Sequence, residues 1–595
     1  MSKVHSFHIP VMGIGYTIDT PLKVAHFGLD SVISLVDDIL LEKLRKMYCT
    51  NFGIPYEEIT ERTKDFRAER ITSYLNLIHK LAEKKFEELK NASAEKAHEL
   101  KEYFNLLPDN SAIKQEFQRL TAKHFNLDDI RSWIKSNLSM GSIDVNIMTK
   151  VDKDNYYKGE KLPTEYNDAH AALRGFANSD LRSSIVLSAG MNPRLYGYME
   201  NFEDFYPNEK GEVKKKIVLK VSDYRSALIQ GRFFAKKGLW VSEYRIESGL
   251  NCGGHAFASE GFLLGPVLAE FKEKRVQLSR LANEVLTQGL TNKNRILPKE
   301  EMKFIITAQG GVGTNEEHQF LLNHYQMDSV GWGTPFMLVP EVVNVDNHTL
   351  KILKAAKEND LYLSGISPLG VPFNNVRGNT KDLEKLALAA QGKPGSFCPK
   401  KYVCLNTEYT EKGICMASRQ YQRIKIKELN EQALALEEHQ KKYDAIVEKS
   451  CICVGLGTAA LLVNNLDTQT EGVGVSVCPG PNMAYFSKTM SLKEMVDHIY
   501  GRANVISRND RPNMFIKELK LYIDFLKNKI EETSASATNK EKNGLVSFVE
   551  NLKSGIQYYE TLFSEIKGKF EDKKNSIFSE LESSRRDLNL LVLKI

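Results

Sequence analysis

Eight short β-rich runs recur along the first 335 or so residues, and most are followed by a segment with helical spacing. Several of them, such as Ile217-Val218-Leu219, are continuously apolar. Continuous apolar runs are typical of strands buried on both faces of a parallel sheet. Eight strands alternating with helices predict an α/β fold, a closed (β/α)8 TIM barrel. The runs are Ile9–Gly13, Ser31–Leu35, Ile143–Thr149, Ser184–Ala189, Lys216–Lys220, Trp240–Ile246, Lys303–Gln309 and Ser329–Gly333.

The chain has 595 residues, and glycine usage indicates where it exceeds a barrel of ~250 residues. Residues 54–140 contain no glycine and residues 502–595 contain three, and both zones have helical apolar spacing. We expect residues 54–140 to form a helical insertion after the second strand, on the face where the strand C-termini lie. The predicted domains are a barrel over 1–385, a cysteine-containing segment packed on it over 386–500, and a helical extension over 501–595.

Composition excludes several classes of protein. The content of 42% hydrophobic and 26% charged residues is ordinary for a globular chain and excludes disordered and collagen-like proteins. Because 81 Lys and Arg stand against 76 Asp and Glu, no basic excess indicates a nucleic-acid partner. No run approaches the ~18 apolar residues of a membrane helix, and the N-terminus lacks a secretory signal. We therefore expect a cytoplasmic protein with a small-molecule substrate, and a homo-oligomer remains open.

Two of the predicted strands end in glycines. The seventh runs into Gly310-Gly311-Val312-Gly313, and the eighth runs into Gly331-Trp332-Gly333-Thr334. Glycine has no Cβ, so backbone N–H groups beside it can approach an anion closely. In barrels of this class the loops after strands seven and eight commonly bind phosphate. The alternative, that these glycines only permit tight turns, is less favoured at these two positions.

A histidine follows the sixth predicted strand, in the run Gly249-Leu250-Asn251-Cys252-Gly253-Gly254-His255. A histidine at this end of a barrel strand faces the central pocket and can exchange a proton near neutral pH. The alternative is a histidine that only hydrogen-bonds local backbone. Cys252 is either an acid or redox thiol or a small apolar core residue. His255 and Cys252 are the candidate catalytic residues.

These motifs resemble those of the nitronate monooxygenase (2-nitropropane dioxygenase) family of FMN-dependent TIM barrels, to which a flavin-dependent enoyl-acyl-carrier-protein reductase is also similar. The resemblance covers residues 7–55 and 140–385. The family's motifs look like Pro10-Val11-Met12-Gly13, Gly253-Gly254-His255, Gly310-Gly311-Val312 and Trp332-Gly333-Thr334-Pro335-Phe336. Asn146 and Lys220 look like its strand-three asparagine and strand-five lysine. The chain departs from the family at Asn251-Cys252, where Glu-Ala is usual, and at Pro335, where Arg is usual, and both departures concern the substrate.

The resemblance implies an FMN cofactor and an oxidoreductase that oxidises a small acidic carbon compound, nitronate-like, with dioxygen. It implies that Lys220 stabilises negative charge on the reduced flavin and that His255 acts as a base or electrostatic partner. Two alternatives stay open: an NAD(P)H-dependent flavin enoyl reductase of lipid or polyketide synthesis, and a non-catalytic barrel scaffold. The implied cofactor contacts are Met12, Gly13, Asn146, Lys220, Gly310, Gly311, Gly333 and Thr334.

Five of the eight cysteines lie close together in the sequence: Cys398, Cys404, Cys415, Cys451 and Cys453. No two of them form a CxxC pair, whereas zinc ribbons and ferredoxin-type clusters normally contain closer pairs. The segment is polar and rich in turns, and a thiolate site can be assembled from distant parts of a chain. An iron–sulfur cluster or a zinc ion on these five residues is therefore one interpretation, and unpaired structural thiols are the other.

Overall fold

The computed structural model describes residues 4–594 except 92–96, 123–126, 189, 259 and 534–537. Its core is a sheet of eight parallel strands in chain order, in which the last strand pairs with the first. A single bridge between Ile9 and Ser31 joins the first two strands, so the barrel is nearly closed. The predicted (β/α)8 barrel is confirmed. The strands are β1 (Phe7–His8), β2 (Ser31–Ser34), β3 (Ile143–Met148), β4 (Ser184–Ser188), β5 (Lys216–Val221), β6 (Val241–Glu247), β7 (Ile305–Gln309) and β8 (Ser329–Gly331).

Helices surround the strands and continue beyond them. A hairpin of β9 (Leu361–Ser364) and β10 (Phe373–Val376) follows the barrel. The helices are α1 (Thr20–Val24), α2 (Asp38–Asn51), α3 (Phe66–Lys90), α4 (Ala97–Leu106), α5 (Ala112–Ala122), α6 (Leu127–Asn137), α7 (Asp168–Ala177), α8 (Pro193–Tyr198), α9 (Tyr224–Lys236), α10 (Leu264–Asn292), α11 (Asn315–Asn323), α12 (Asn347–Ala355), α13 (Thr380–Ala390), α14 (Arg419–Asn430), α15 (Leu436–Glu448), α16 (Ile452–Val463), α17 (Leu492–Ile499), α18 (Met514–Glu532), α19 (Asn539–Glu565) and α20 (Lys574–Val592).

The first predicted strand is misplaced, because the sheet uses Phe7–His8 and not Ile9–Gly13. Pro10 has no N–H for a strand ladder, and Gly13 has a φ of 56°. The chain therefore leaves the sheet at this point and turns across the barrel mouth. The other seven predicted runs agree with the observed strands to within two residues at each end. Residue 189, the end of the fourth run, lies outside the described residues.

The described parts of the glycine-free zone are helical, and α3 and α4 pack in the outer layer of the barrel, with only the start of α3 near the C-terminal end of β2. A Cβ added to Gly175 of α7 would come within 2.8 Å of atoms of α3, so these two helices pack closely in the outer layer. In α4 the hydroxyl of Tyr103 donates to the carbonyl of Ser139, just before β3 begins. The apolar face of α3 is buried there by the same outer helices. Residues 92–96 and 123–126 of the zone are outside the described part.

The segment before the C-terminal helices packs on the barrel through α16, whose residues Ile452–Leu461 are all buried. The N–H of Gly15 donates to the carbonyl of Leu456, so α16 contacts the turn that follows β1. In the described part of the chain no single helix is long and apolar enough to cross a membrane. Counted as one segment, the bent pair of α15 and α16 has the length and composition that a membrane span requires.

Candidate functional site

A cavity of about 390 Å³ lies at the C-terminal ends of the barrel strands. This volume is within the ~300–1,000 Å³ that is typical of small-molecule sites. The barrel residues selected from the sequence all line it: Met12, Gly13, Asn146, Lys220, Cys252, His255, Gly310, Gly311, Gly333 and Thr334. Of the five clustered cysteines, Cys453 also reaches the cavity wall.

The glycine loops after β7 and β8 have the form of an anion cradle. Gly310 and Gly311 have φ values of 118° and 79°, which favour glycine strongly. A Cβ on Gly311 would lie 2.1 Å from Nδ2 of Asn251, so no larger residue fits without a shift. Within the described residues, the N–H groups of Gly311, Gly333 and Thr334 donate to no protein acceptor. Three backbone donors therefore remain available at the predicted phosphate position.

Arg511, which sequence analysis did not select, supports the loop after β7 from behind. Its Nη2 donates to the carbonyl of Gly311 at 2.8 Å, and its guanidinium forms a bidentate ion pair with Glu317 at 2.8 and 2.9 Å. Glu317 in turn accepts the N–H of Gly313 at 2.9 Å. Arg511 is 200 residues from the loop in sequence. The only local signal near it is Pro512, which precedes α18, so sequence alone could not connect it to the site.

Residues 478–482, which we call the closing segment, lie across the barrel mouth. The segment contacts the loops after β6, β7 and β8, and its Cys478 and Asn482 line the cavity. Three hydrogen bonds hold it: the N–H of Gly254 donates to the carbonyl of Cys478 at 3.2 Å, the N–H of Gly480 to Oγ1 of Thr334 at 3.0 Å, and Nδ2 of Asn482 to the carbonyl of Val312 at 2.8 Å.

Lys220 is paired with a carboxylate that sequence analysis did not select. Its Nζ lies 2.6 Å from Oε2 of Glu247, at the ends of β5 and β6. Nε2 of Gln309 donates to the other oxygen of Glu247 at 2.9 Å. Oε1 of Gln309 is buried and has no hydrogen-bond partner among the described residues. The site therefore offers a cation whose charge is largely balanced and an unused acceptor that a ligand N–H or O–H can satisfy.

His255 lies at the cavity wall against the β9–β10 hairpin. Its Nε2 is 2.7 Å from Oγ of Ser367, and its ring meets Phe373 edge-on with centroids 4.9 Å apart. Burial lowers the pKa of His255 from 6.5 to about 4. The imidazole is therefore neutral at pH 7 and can accept a proton from a substrate.

Cys252 and Asn146 have more restricted roles. Burial, followed by the nearby charge of Glu247, raises the pKa of the Cys252 thiol well above its usual value. Its Sγ donates to the carbonyl of Gln309 at 3.6 Å, so the group is a thiol, and the nearby cation of Lys220 does not offset burial and the charge of Glu247. Asn146 donates through Nδ2 to the carbonyl of Val186 at 3.1 Å, which fixes its side chain at the end of β3.

A buried glutamate of α18 connects the helical extension to the cavity. Glu518 is 1% exposed. Its Oε1 accepts the hydroxyl of Ser248, a cavity-lining residue, at 2.5 Å, and its Oε2 accepts the N–H of Leu264 at 2.8 Å. Burial raises its pKa from 4.5 to about 7.

We expect Glu518→Gln to stabilise the protein at pH 8 and to have little effect at pH 4.5. The raised pKa means that the folded state binds a proton that the unfolded state has lost, so wild-type stability falls as pH rises between these values. The expected gain relative to pH 4.5 is about 3 kcal/mol, measured by urea unfolding at both pH values. Glu531→Gln, at an exposed position of α18, is the control. An equal shift at both pH values would contradict the raised pKa.

The structure brings the clustered cysteines together. Cys398 lies beside Cys451 and Cys453, and Cys404 and Cys415 are near it. Within the described ranges, no group of three or more His, Cys, Asp or Glu side chains could hold a metal ion.

No family model matches the sequence, and comparison with curated proteins gives no match. Among solved structures, the chain is similar to the enoyl reductase domain of MlnA from the macrolactin biosynthesis cluster from Bacillus amyloliquefaciens. The alignment covers 70% of this chain and 88% of that one, with 14% identity and a TM-score of 0.31. A likeness at this level concerns the fold and carries no argument about function.

Proposed function

We propose that the barrel binds FMN and that the protein is an FMN-dependent oxidoreductase acting on a small acidic carbon compound, nitronate-like, with dioxygen as the oxidant. The observation that supports this most is the set of unpaired N–H groups on Gly311, Gly333 and Thr334, in the loops where barrels of this class hold phosphate. The cavity volume and the unused Oε1 of Gln309 fit a large polar ligand. The residues that line the cavity therefore fit FMN.

The phosphate would lie on the glycine loops, with Gly310 and Gly311 on one side and Gly333 and Thr334 on the other. When bound, FMN supplies a ring that takes two electrons from a substrate and returns them to an acceptor. Lys220 places a cation at the end of β5, but Glu247 at 2.6 Å balances much of its charge. The pair therefore makes the local field nearly neutral.

His255 is the residue that would accept the substrate proton. As a neutral imidazole it can accept a proton from an acidic C–H or hydrogen-bond an anionic substrate. Ser367 fixes the orientation of the ring through Nε2. The closing segment is held at Thr334 by the N–H of Gly480, and beside a bound ligand it would restrict water at the reacting atoms.

The direct test is the visible spectrum of the full chain after mild purification, followed by anaerobic reduction. We expect flavin absorption that is bleached by a nitronate and restored by air. Bleaching by NAD(P)H with no nitronate activity would replace this function by the enoyl reductase alternative. Absence of flavin, even after incubation with FMN, would overturn the proposal and favour a scaffold.

We expect Gly311→Ala to weaken FMN binding at least about tenfold, measured by fluorescence titration of the flavin-free protein. The added Cβ requires a disfavoured φ and meets Asn251 at 2.1 Å, which displaces the cradle. Gly392→Ala is the matched control, because Gly392 has a φ of 69° and nothing within 4 Å of its Cβ position. Equal affinity in the two variants would remove the loop after β7 from the cofactor site.

A further inference from the structure

A carboxyl group without a counter-ion is buried behind the cavity. Glu518 of α18 is 1% exposed. Both groups that hydrogen-bond to it are donors, the hydroxyl of Ser248 at 2.5 Å and the N–H of Leu264 at 2.8 Å. Within the described residues no lysine, arginine or histidine forms an ion pair with it. A buried charge normally requires such a partner, so an unpaired carboxyl at this position indicates a role beyond packing.

The groups that face Glu518 from the neighbouring elements are neutral. They are the thiol of Cys252 after β6 and the phenols of Tyr325, Tyr522 and Tyr559. Burial raises the pKa of each of these four groups well above its ordinary value, so none of them is charged near pH 7. Burial raises the pKa of Glu518 to about 7. Among the described residues that surround it, Glu518 is therefore the group whose charge changes near neutral pH.

Ser248 connects this carboxyl to the cavity. It is 3% exposed, it follows β6 directly, and it lines the cavity. Its Oγ also accepts the N–H of Asn251 at 3.2 Å. A Cβ added to Gly310 would lie 2.9 Å from Cβ of Ser248, so the serine lies against the glycine loop after β7. The hydroxyl is therefore next to the buried carboxyl on one side and to the predicted anion position on the other.

The hydrogen bonds of Ser248 depend on the protonation of Glu518. A hydroxyl has one hydrogen to donate and two lone pairs that accept. An ionised Glu518 accepts this hydrogen, and Ser248 then offers only a lone pair to the cavity. A protonated Glu518 can donate to Oγ, which then accepts from both Glu518 and Asn251 and has its own hydrogen free for a ligand. The ionised pair therefore disfavours an anion in the cavity, and the protonated pair favours it.

We propose that Glu518 is a positioning residue for an anion in the barrel cavity, and that its protonated carboxyl turns the hydroxyl hydrogen of Ser248 towards the ligand. Binding of the anion then takes up a proton from the solvent wherever the free carboxyl is ionised. The anionic group is the phosphate of FMN or the anionic group of the substrate, and the chemistry of recognition is the same for both. The inference therefore rests on the proposed function.

The test compares ligand affinity in the wild type and in Glu518→Gln at about pH 5.5 and about pH 8.5, below and above the ionisation of the free carboxyl. Glutamine can donate through Nε2 to Ser248 and accept the N–H of Leu264 through Oε1, so it imitates the protonated carboxyl at either pH. We expect affinities equal within about twofold at the lower pH, and wild-type binding weaker by about tenfold or more at the higher pH. Glu531→Gln, at an exposed position of α18, should behave like the wild type.

The choice of ligand distinguishes the two sources of the anion. FMN and riboflavin are titrated into the flavin-free protein, and a nitronate is titrated into the protein with flavin bound. Because both proteins are compared at the same pH, the ionisation of the ligand itself cancels. A difference for FMN but not for riboflavin would support the phosphate as the anion, and a difference for the nitronate would support the substrate.

Ser248→Ala tests whether the effect passes through the hydroxyl. In this variant, the further change Glu518→Gln should alter affinity at the higher pH by no more than about twofold, since the connecting group is absent. An undiminished effect of Glu518→Gln in the absence of the hydroxyl would overturn the proposed role of Ser248 and leave only charge repulsion.

Infrared difference spectra keep the test decisive if Glu518→Gln folds poorly. At the higher pH, anion binding to the wild type should add the C=O band of a protonated carboxyl and remove that of a carboxylate, which a purely structural role would not cause. The same pH dependence in the wild type and Glu518→Gln, or an unchanged carboxyl band, would overturn this inference while FMN binding remained. Absence of FMN binding at either pH would overturn the proposed function and this inference with it.

Discussion

His255→Asn retains the flavin and lowers the rate of substrate-dependent flavin reduction by about 10²- to 10⁴-fold, the usual contribution of a positioned acid or base. The reason is that asparagine has no ring nitrogen to accept a proton, while its amide keeps the site polar. The measurement is stopped-flow bleaching of the flavin under nitrogen, with the bound flavin counted first from its absorption. Because the pKa of His255 is lowered to about 4, the wild-type rate should fall only as pH drops through that value.

The controls separate proton transfer from general damage at the cavity. His348→Asn changes an exposed histidine of α12 and should leave the rate unchanged. Ser367→Ala removes the hydroxyl 2.7 Å from Nε2 but keeps the imidazole, so its loss should be much smaller than that of His255→Asn. Reduction at the wild-type rate in His255→Asn would remove this residue from the mechanism.

Lys400→Met lowers the free energy of unfolding by about 3–5 kcal/mol, which is typical when one partner of a buried ion pair is removed. Nζ of Lys400 lies 2.6 Å from Oδ2 of Asp37 and 3.2 Å from Oε1 of Glu471, and all three side chains are at most 1% exposed. The substitution leaves two buried carboxylates without this cation. Oδ1 of Asp37 also caps α2 through the N–H of Leu40, so the disturbance reaches the barrel.

Urea unfolding of Lys400→Met beside Lys393→Met, an exposed lysine in the same segment, measures the effect. The double variant Lys400→Met with Asp37→Asn should recover part of the loss, because the asparagine keeps the helix cap without a buried charge. A loss below about 1 kcal/mol would mean that water reaches these groups and that the pair behaves as a surface pair.

The fold could be predicted from the sequence because its signals are local. Strands such as Lys216–Val221 are buried on both faces, so their apolar residues are contiguous and distinct from the helices between them. The first strand was misplaced because it has only two residues. The apolar residues continue past the end of this strand, on both sides of Pro10, and so they gave no local signal of where the strand ends. The side on which the helices α3–α6 pack had no local signal, since an amphipathic face does not specify its partner.

Some residues of the candidate site had a local signal in the sequence, and others had none. Gly310, Gly311 and His255 were found because a glycine pair or a histidine after a strand is visible in a few consecutive residues. Arg511 and Glu518 were missed because each acts across more than 190 residues of chain, against Glu317 and Ser248 respectively. Their function comes from contacts that form only after the C-terminal helices have packed on the barrel.

The sequence by itself determined a parallel eight-stranded barrel, glycine loops at its mouth and a set of closely spaced cysteines, because strand burial, left-handed φ values and residue counts are properties of short stretches of chain. Only the tertiary structure decided that residues 478–482 contact the loops after β6, β7 and β8, that Glu247 balances Lys220, and that Cys398 lies beside Cys451 and Cys453. Those facts depend on the directions in which distant elements pack, which are set by the whole core and not by any local pattern.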